Sequence, residues 1–555
     1  MNKQAALTFV SRWRKELAIT AALLLTLLGP FILKPRESTA PSRYDRKLVI
    51  LTPHPERLRA EFGQAFTRHW KARTGETIAM DWRVPGGTSE IAVLLKSDYS
   101  AAFQQLWTRT PGRTWTPNVA QSFLNAKTAA TDPARKAFLE SNVGIGVDVF
   151  FGGGAYDFQL QAESGTLVAQ ASPGTGTGIT ALREKHPTWF SDDGIPEKVS
   201  GEPFRDAQDR WVASCLSSFG IVFNRDVLRR LGIEHDPTQW RDLADPRLFG
   251  QLALADPGRS ATVTKAFEML IQQEMQEAIA RLGQKPGKPT AQEIEAEGVR
   301  QGWVAGLNLI QRISANARYF SDSSSKIPLE VARGDAAAGM CIDYYGRSTE
   351  EETRKADGTS RVGFVMPVGG SSVSVDPIAM LRGAPEPELA TAFIEFVLAD
   401  EGQKLWSYRS GSPGGPAQSA LRRLAARKDF YTPEHLAHMS DAAEMPYEKA
   451  KSFTYHPEWT GAAFSTLRFL IRVLCVDTHH EQRAAWTAIN KGDSPRRAIK
   501  VFDDLNYIRY DTALGDINKV VRSRDKVAET RLARILGDNF RGNYKLAAKM
   551  ARRGE

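Results

Sequence analysis

"RKLVILTPHPERLRAEFGQAFTRHWKARTG", residues 46–75, sets the architecture of this chain. RKLVILTPH (46–54) is a short apolar strand ending at His54. The pattern then changes period: Leu58, Phe62, Phe66 and Trp70 recur every four residues along one helical face, and Gly75 is a stop. ETIAMDWRV (76–84) reads as a second strand, PGGTSE (85–90) as a Gly-rich turn and IAVLLKSDY (91–99) as a second helix. A β-α-β-α opening implies a parallel sheet whose post-strand turns lie along one edge, where such sheets bind ligands. NVGIGVDVFFGGGAYDF (142–158) brings a third, buried-type strand to that edge and runs it into three glycines.

Further along, GIVFNRDVLRRLGI (220–233) reads as strand then helix, and QLALADPGRSATVTKAFEMLIQQEM (251–275) as strand, loop and long helix. AAAGMCIDYYGR (336–347) is an apolar strand running into an acid, two tyrosines, a glycine and an arginine. Successive strand residues face opposite ways, so Tyr344 and Tyr345 serve one site only where the strand has ended, and Gly346 is read as the residue that permits the turn. RVGFVMPVGGSSVSVDPIAML (361–381) reads as two strands broken by a Gly/Ser turn, and ELATAFIEFVLADEGQKLW (388–406) as a helix pair. From about Pro416 the pattern is mostly helical, and the last stretch is basic and amphipathic.

The bulk composition is ordinary for a globular chain of two or three domains: 555 residues, 42% hydrophobic and 25% charged. The net charge of +9 is spread among acids, which implies a mildly basic surface and no nucleic-acid partner. Cys215, Cys341 and Cys475 stand far apart without CxxC spacing. They indicate neither a zinc site nor a disulfide framework, and read as buried small residues.

Residues 17–33, LAITAALLLTLLGPFIL, carry no charge and follow Lys3, Arg12, Arg14 and Lys15. That pattern predicts an uncleaved membrane anchor, with 1–16 cytoplasmic, 34–45 a flexible tether and the remainder on the periplasmic or extracellular side; a cleaved signal is the alternative. No lipobox cysteine follows the run, which excludes a lipoprotein anchor.

Seven segments, LTPHPE, GGTSE, VDVFFGGG, SSFGIVFNRDVL, TQWRDLADPRLFGQLALADP, GDAAAGMCIDYY and FVMPVGG, stand over residues 46 to about 410 in the order found in the solute-binding proteins of ABC importers. The chain resembles their ferric-ion-binding cluster. The resemblance implies an α/β fold, the type II-like two-lobed periplasmic-binding-protein fold closing on a ligand by a hinge. The expected division is lobe 1 at 46–152, lobe 2 at 153–368, a return to lobe 1 at 369–415 and a helical extension at 416–555. The extension is expected to pack on the first lobe, because AAFSTLRFLIRVLCV is too apolar for water; at its length, and interrupted by Arg468 and Arg472, it is too short for a second membrane span. The resemblance also implies a transport function without catalysis or a catalytic cofactor, with an ABC permease and its ATPase as partners.

By the same resemblance His54, Tyr344 and Tyr345 match iron ligands, and phenolate is a hard donor suited to Fe(III). The family's carboxylate ligand is missing, since Gly153 stands in its place. Three glycines instead offer backbone N–H groups to an oxyanion. Two ligands are therefore expected: Fe(III) with an accompanying anion, favoured slightly, or a phosphorylated or carboxylated organic anion. Gly86, Gly87, Thr88 and Ser89, Gly153 and Gly154, Ser260 and Ser324 form the expected anion contacts, with Asp343 and Arg347 beside the tyrosines; Arg83 is a further candidate for phosphate. For each serine, helix capping or a simple turn is the competing reading, and for the arginines pairing with Asp81 and Asp343. A hydrolase around Asp477, His479 and His480 lacks any recognised constellation. A scaffold role for the basic C-terminal helices is the third reading.

Overall fold

The computed structural model describes residues 23–24, 44–284, 290–492, 495–523 and 525–555. The expected anchor at 17–33 and most of the tether lie outside the described residues.

Three parallel strands form the first layer: β1 (Arg46–Leu51), β2 (Ile78–Arg83) and β3 (Val149–Phe151), with β1 pairing to both others. Helix α1 (Glu56–Thr74) joins β1 to β2 and buries Leu58, Phe62, Phe66 and Trp70 against the sheet. It stops at Gly75, whose φ of 81° lets its N–H reach back to the Lys71 carbonyl. Helix α2 (Thr88–Thr108) follows β2, and α3 (Ala155–Ser164) follows β3.

Strand β4 (Val212–Asn224) is thirteen residues long and buried throughout. Its first half, Val212 to Leu216, belongs to one hydrophobic core, and its second half, from Phe219, to another. Between them stand Ser217 and Ser218, both buried and both hydrogen-bonded to charged side chains. Beyond this junction the second lobe is a parallel set: β5 (Leu252–Ala255), helix α4 (Ala261–Gly283), helix α5 (Ala291–Asn316), β6 (Ala317–Ser321) and β7 (Ala338–Ile342). Helix α6 (Asp343–Glu352) follows β7 directly; β8 (Val362–Val365) pairs antiparallel with β4, and β9 (Val373–Leu381) returns beside β3 and the first half of β4. The sheet order among these is β2-β1-β3-β9-β4-β7-β5-β6.

Three expectations change. The lobes divide within β4, not at Gly153: Phe158, Leu167, Leu182, Phe204 and Trp211 all pack in the first core, because α3 folds back over the first sheet. The extension is not one helical layer on the first lobe. Leu421, Leu424, Ala426 and Ala450 do join the first core, partly through the extended Leu424–Ala425 paired to β4. From Trp459 to Ala551, however, including helix α7 (Phe464–Ile471) and the C-terminal helix α8 (Lys526–Arg552), the extension packs into the second core. Polar anchors fix it there: the Trp303 indole donates to the Ile508 carbonyl at 2.8 Å, and Gln311 donates to the Phe502 carbonyl and the Tyr544 hydroxyl. The apolar run Pro457–Val476 has the length and composition of a membrane span, yet two-thirds of it is buried inside the protein. Finally, Gly346 is not a turn residue. It lies inside α6, where a Cβ would come within 2.3 Å of the Phe364 ring.

All three cysteines are free and buried. His479 hydrogen-bonds the Ser314 carbonyl at 3.1 Å and stands edge-on to Phe320, so it serves the second core.

Candidate functional site

The C-terminal ends of β1, β2 and β3 face those of β5, β6 and β7 across a cavity of about 670 Å³. Into it the structure brings His54, Gly86, Gly87, Thr88, Gly153 and Gly154 from the first lobe, and Ser260, Ser324, Tyr344 and Tyr345 from the second. Ser89, Asp343 and Arg347 are not in its lining. Ser89 accepts a hydrogen bond from Arg468; Asp343 is buried beneath Ser218, from which its carboxylate accepts both N–H and O–H; Arg347 is buried between Asp343 and Glu444. Arg83 is half-exposed near Asp81.

Four chain segments begin helices at this cavity. Gly87 precedes α2 and Gly154 precedes α3, neither with a side-chain cap. Ser260 caps α4, accepting from the Val263 N–H at 3.3 Å, and Ser323 caps the short turn Ser324–Lys326 in the same way. First-turn N–H groups without helical partners, at the positive end of the peptide dipoles, make such termini receptive to anions. Glu90 shares the α2 terminus by folding over Gly86. Asp157 stands in the first turn of α3, and burial raises its carboxyl pKa against the effect of the Thr88 hydroxyl.

The glycine run has a steric cause. Gly152 has a φ of 87°, and a Cβ on it would sit 2.2 Å from the His54 ring. Gly153 has a φ of 134°, and its Cβ would lie 2.7 Å from Thr88. An acidic side chain at 153 would meet both backbone strain and collision.

His54 is held within the first lobe. Its Nδ1 is 3.0 Å from the Thr52 hydroxyl, its Nε2 faces Asp376 at 3.6 Å, and Phe151 meets it edge-on. Burial holds its pKa below the ordinary histidine value, which keeps the ring neutral near pH 7. Asp376 pairs with Arg423 at 2.7 Å; burial works against its charge, but Arg423 and then His54 bring its pKa below the usual carboxylate value. Arg423 also donates to Ser217 and lies 3.8 Å over the Tyr344 ring, which is itself 4.1 Å from Tyr345. Burial, and then Tyr345, pushes the Tyr344 phenol well above its ordinary pKa.

A second charged group at the cavity wall was not found from sequence. Lys265 on α4 pairs with Glu202 at 3.0 Å and Glu268 at 3.2 Å, and its ammonium lies 3.5 Å from the centre of the Tyr455 ring. Burial alone lowers its pKa, but the two carboxylates and Tyr455 together raise it, so it is charged. Of the six carboxylates that line the cavity, Asp376 pairs with Arg423, Glu202 and Glu268 share Lys265, and Asp322 pairs with Lys326 at 2.6 Å, while Glu90 and Asp157 stand at the starts of α2 and α3. Among the described residues, no group of three His, Cys, Asp or Glu side chains is placed to hold a metal ion.

Residues 190–434 match the family model described as bacterial extracellular solute-binding protein. Proteins of similar sequence include an uncharacterized protein of Haemophilus influenzae, 25% identical over 260 residues, 46% of this chain and 60% of that one. Another is the phosphoglycerate transport regulatory protein PgtC of Salmonella typhimurium, 26% identical over 201 residues, 36% of this chain and 42% of that one. The match therefore spans less than two-thirds of either relative. Similar solved structures include the periplasmic binding protein AfuA from Actinobacillus pleuropneumoniae with exogenous fructose-6-phosphate bound, at 16% identity, covering 74% of this chain and 95% of that one with a TM-score of 0.43. Iron-bound HitA from Pseudomonas aeruginosa is at 15% identity, covering 77% of this chain and 99% of that one with a TM-score of 0.44. Residues 190–434, a little under half of the chain, are thus similar in sequence to the bacterial extracellular solute-binding proteins.

Proposed function

We propose that the protein captures a small organic anion between its lobes on the outer side of the cytoplasmic membrane and delivers it to an ABC permease driven by an ATPase. The observation that carries this reading is the convergence of helix N-termini from both lobes on one cavity. Backbone N–H donors of this kind are fixed in place before the ligand arrives, so a phosphoryl or carboxylate group is stabilised without much reorganisation of the protein. The crossings at Ser217–Ser218 and between Val365 and Val373 are where a hinge closing on that group would bend. A cavity of about 670 Å³ suits an organic molecule and is far larger than one hydrated ion needs. The name of the Salmonella relative, a phosphoglycerate transport regulatory protein, accords with a phosphorylated solute.

Fe(III) with an accompanying anion is the second reading, favoured by the presence of His54, Tyr344 and Tyr345 at one cavity. Two features weigh against it. Tyr344 lies under a guanidinium, with burial opposing its ionisation, and Gly153 has no room for the missing carboxylate. No catalytic role is proposed.

Thermal unfolding with a panel of glycerol 3-phosphate, 3-phosphoglycerate, fructose 6-phosphate and ferric citrate tests the choice. A ligand at 100 times its Kd stabilises the folded state by about 2.7 kcal/mol. At least one organic phosphate is expected to raise the midpoint, with ferric citrate giving neither a rise nor colour. A visible charge-transfer band with a ferric-dependent rise, and no response to the organic anions, would overturn the proposal.

A further inference from the structure

Helix α4 carries a polar stripe inside an otherwise apolar environment. Lys265, Glu268, Gln272 and Gln276 follow one another at spacings of three and four, and so lie on one face. Glu268 and Gln272 are fully buried, and a buried polar face needs a polar partner. The partner is a single stretch of the C-terminal extension. The Tyr455 and Thr460 hydroxyls donate to Glu268 at 3.1 and 2.6 Å; Gln272 donates to the His456 carbonyl and accepts from its N–H, both at 2.8 Å; and Gln276 donates to the Thr454 carbonyl at 2.9 Å.

The same stretch also grips the first lobe. The Tyr455 N–H donates to the Ser200 carbonyl at 2.8 Å, and Gly201 approaches so closely that a Cβ there would lie 1.7 Å from the Tyr455 carbonyl oxygen. Slightly further on, the Phe464 ring packs on Tyr156 at 4.7 Å, and Arg468 donates to Ser89 at 3.2 Å. Tyr455 and Phe464 both line the cavity, and both lie beyond the stretch matched by the family model, which ends at 434.

We propose that residues 453–468 form a third connection between the lobes and a wall of the solute site, with Phe464 and Tyr156 as the apolar surface that selects the carbon portion of the solute. This rests on the capture of an anionic solute in the cavity. The helix N-termini recognise the anionic group, which inorganic phosphate also has; the aromatic pair recognises what only an organic phosphate carries. Removing the Phe464 ring therefore penalises one and spares the other.

The test is calorimetric titration of the full chain with glycerol 3-phosphate and with inorganic phosphate, for the natural protein, Phe464→Ala and Phe464→Leu, with thermal midpoints as the control for folding. Phe464→Ala is expected to weaken glycerol 3-phosphate by about tenfold, as loss of an aromatic contact area implies, while inorganic phosphate changes by less than about threefold. Phe464→Leu, which keeps most of the apolar volume, is expected to recover much of the loss. Equal weakening of both probes, or no weakening of either, overturns the inference. If the natural protein binds neither probe, the phosphate form of the anion reading fails on its own account. The variants are then titrated with the molecule that mass spectrometry finds in the purified protein, and unchanged affinity there overturns the wall as well.

Discussion

Replacing Ser260 with Asp separates the two ligand classes by the sign of its effect. Ser260 is 7% exposed, caps α4 and borders the cavity. Asp caps helices as well as Ser does, so α4 keeps its first turn and the fold is expected to survive. What changes is charge: a carboxylate now stands where the solute's own anion would sit. At a separation of about 5 Å and an effective dielectric constant of about 20, two unit charges repel by about 3 kcal/mol. With about 1.4 kcal/mol for each factor of ten, affinity for glycerol 3-phosphate is expected to fall by roughly two hundredfold. Ser260→Asn, neutral and nearly the same shape, is expected to stay within about threefold of the natural protein. The assay is calorimetric titration at fixed ionic strength, with urea unfolding to verify stability. For Fe(III) the added carboxylate is a further hard ligand, so ferric affinity would rise. Anion affinity that is unchanged or tighter in Ser260→Asp would refute the placement of the anion at the start of α4.

Other consequences follow from the buried charges and the N-terminus. Arg423→Met leaves Asp376 buried without its cation, a loss of about 3–5 kcal/mol in urea unfolding at pH 7. Because the pair lowers the folded-state pKa of Asp376, its contribution is present above the ordinary Asp value of about 4 and is lost as pH falls through the folded value; the gap between variant and natural protein is expected to narrow on acidification, and a gap independent of pH would contradict the pairing. Asp157 has a raised pKa, so its protonated form can donate to a bound oxyanion while its charged form repels one. Anion affinity is therefore expected to decline as pH rises through that value, and Asp157→Asn to remove the decline, as titration over a pH series will show. Residues 17–33 are expected to keep the natural protein in the membrane fraction with its N-terminus intact, whereas a chain starting at Tyr44, which retains β1 whole, is expected to be soluble; a soluble natural form beginning at Pro41 would show cleavage instead.

The first sheet was legible because its strands are short apolar runs and its helices carry a clean four-residue period, as at Leu58, Phe62, Phe66 and Trp70. The lobe boundary was not, because the three glycines after β3 look like a hinge, whereas Gly152 and Gly153 are there to admit His54 and Thr88. The crossing in β4 is marked only by Ser217 and Ser218, small polar residues whose meaning depends on Arg423 and Asp343 far away in sequence. Arg423 itself sits in LRRLAARK, which reads as helix but has Arg422 at a φ of 55° and an extended segment after it. The cavity's backbone donors were foreseeable from Gly and Ser ahead of helical patterns. Lys265 was not singled out, although a lysine and a glutamate three apart in an apolar helix signal a buried partner; its partners Glu202 and Tyr455 come from separate segments that only the folded chain assembles.

The central claim is that the cavity holds an organic anion. Native mass spectrometry of protein purified without denaturant, with elemental analysis of the same sample, reads the occupant directly. One organic molecule bearing a phosphoryl or carboxylate group per chain is expected, with no stoichiometric iron. One iron per chain, with a coloured protein and no organic phosphate, would contradict it.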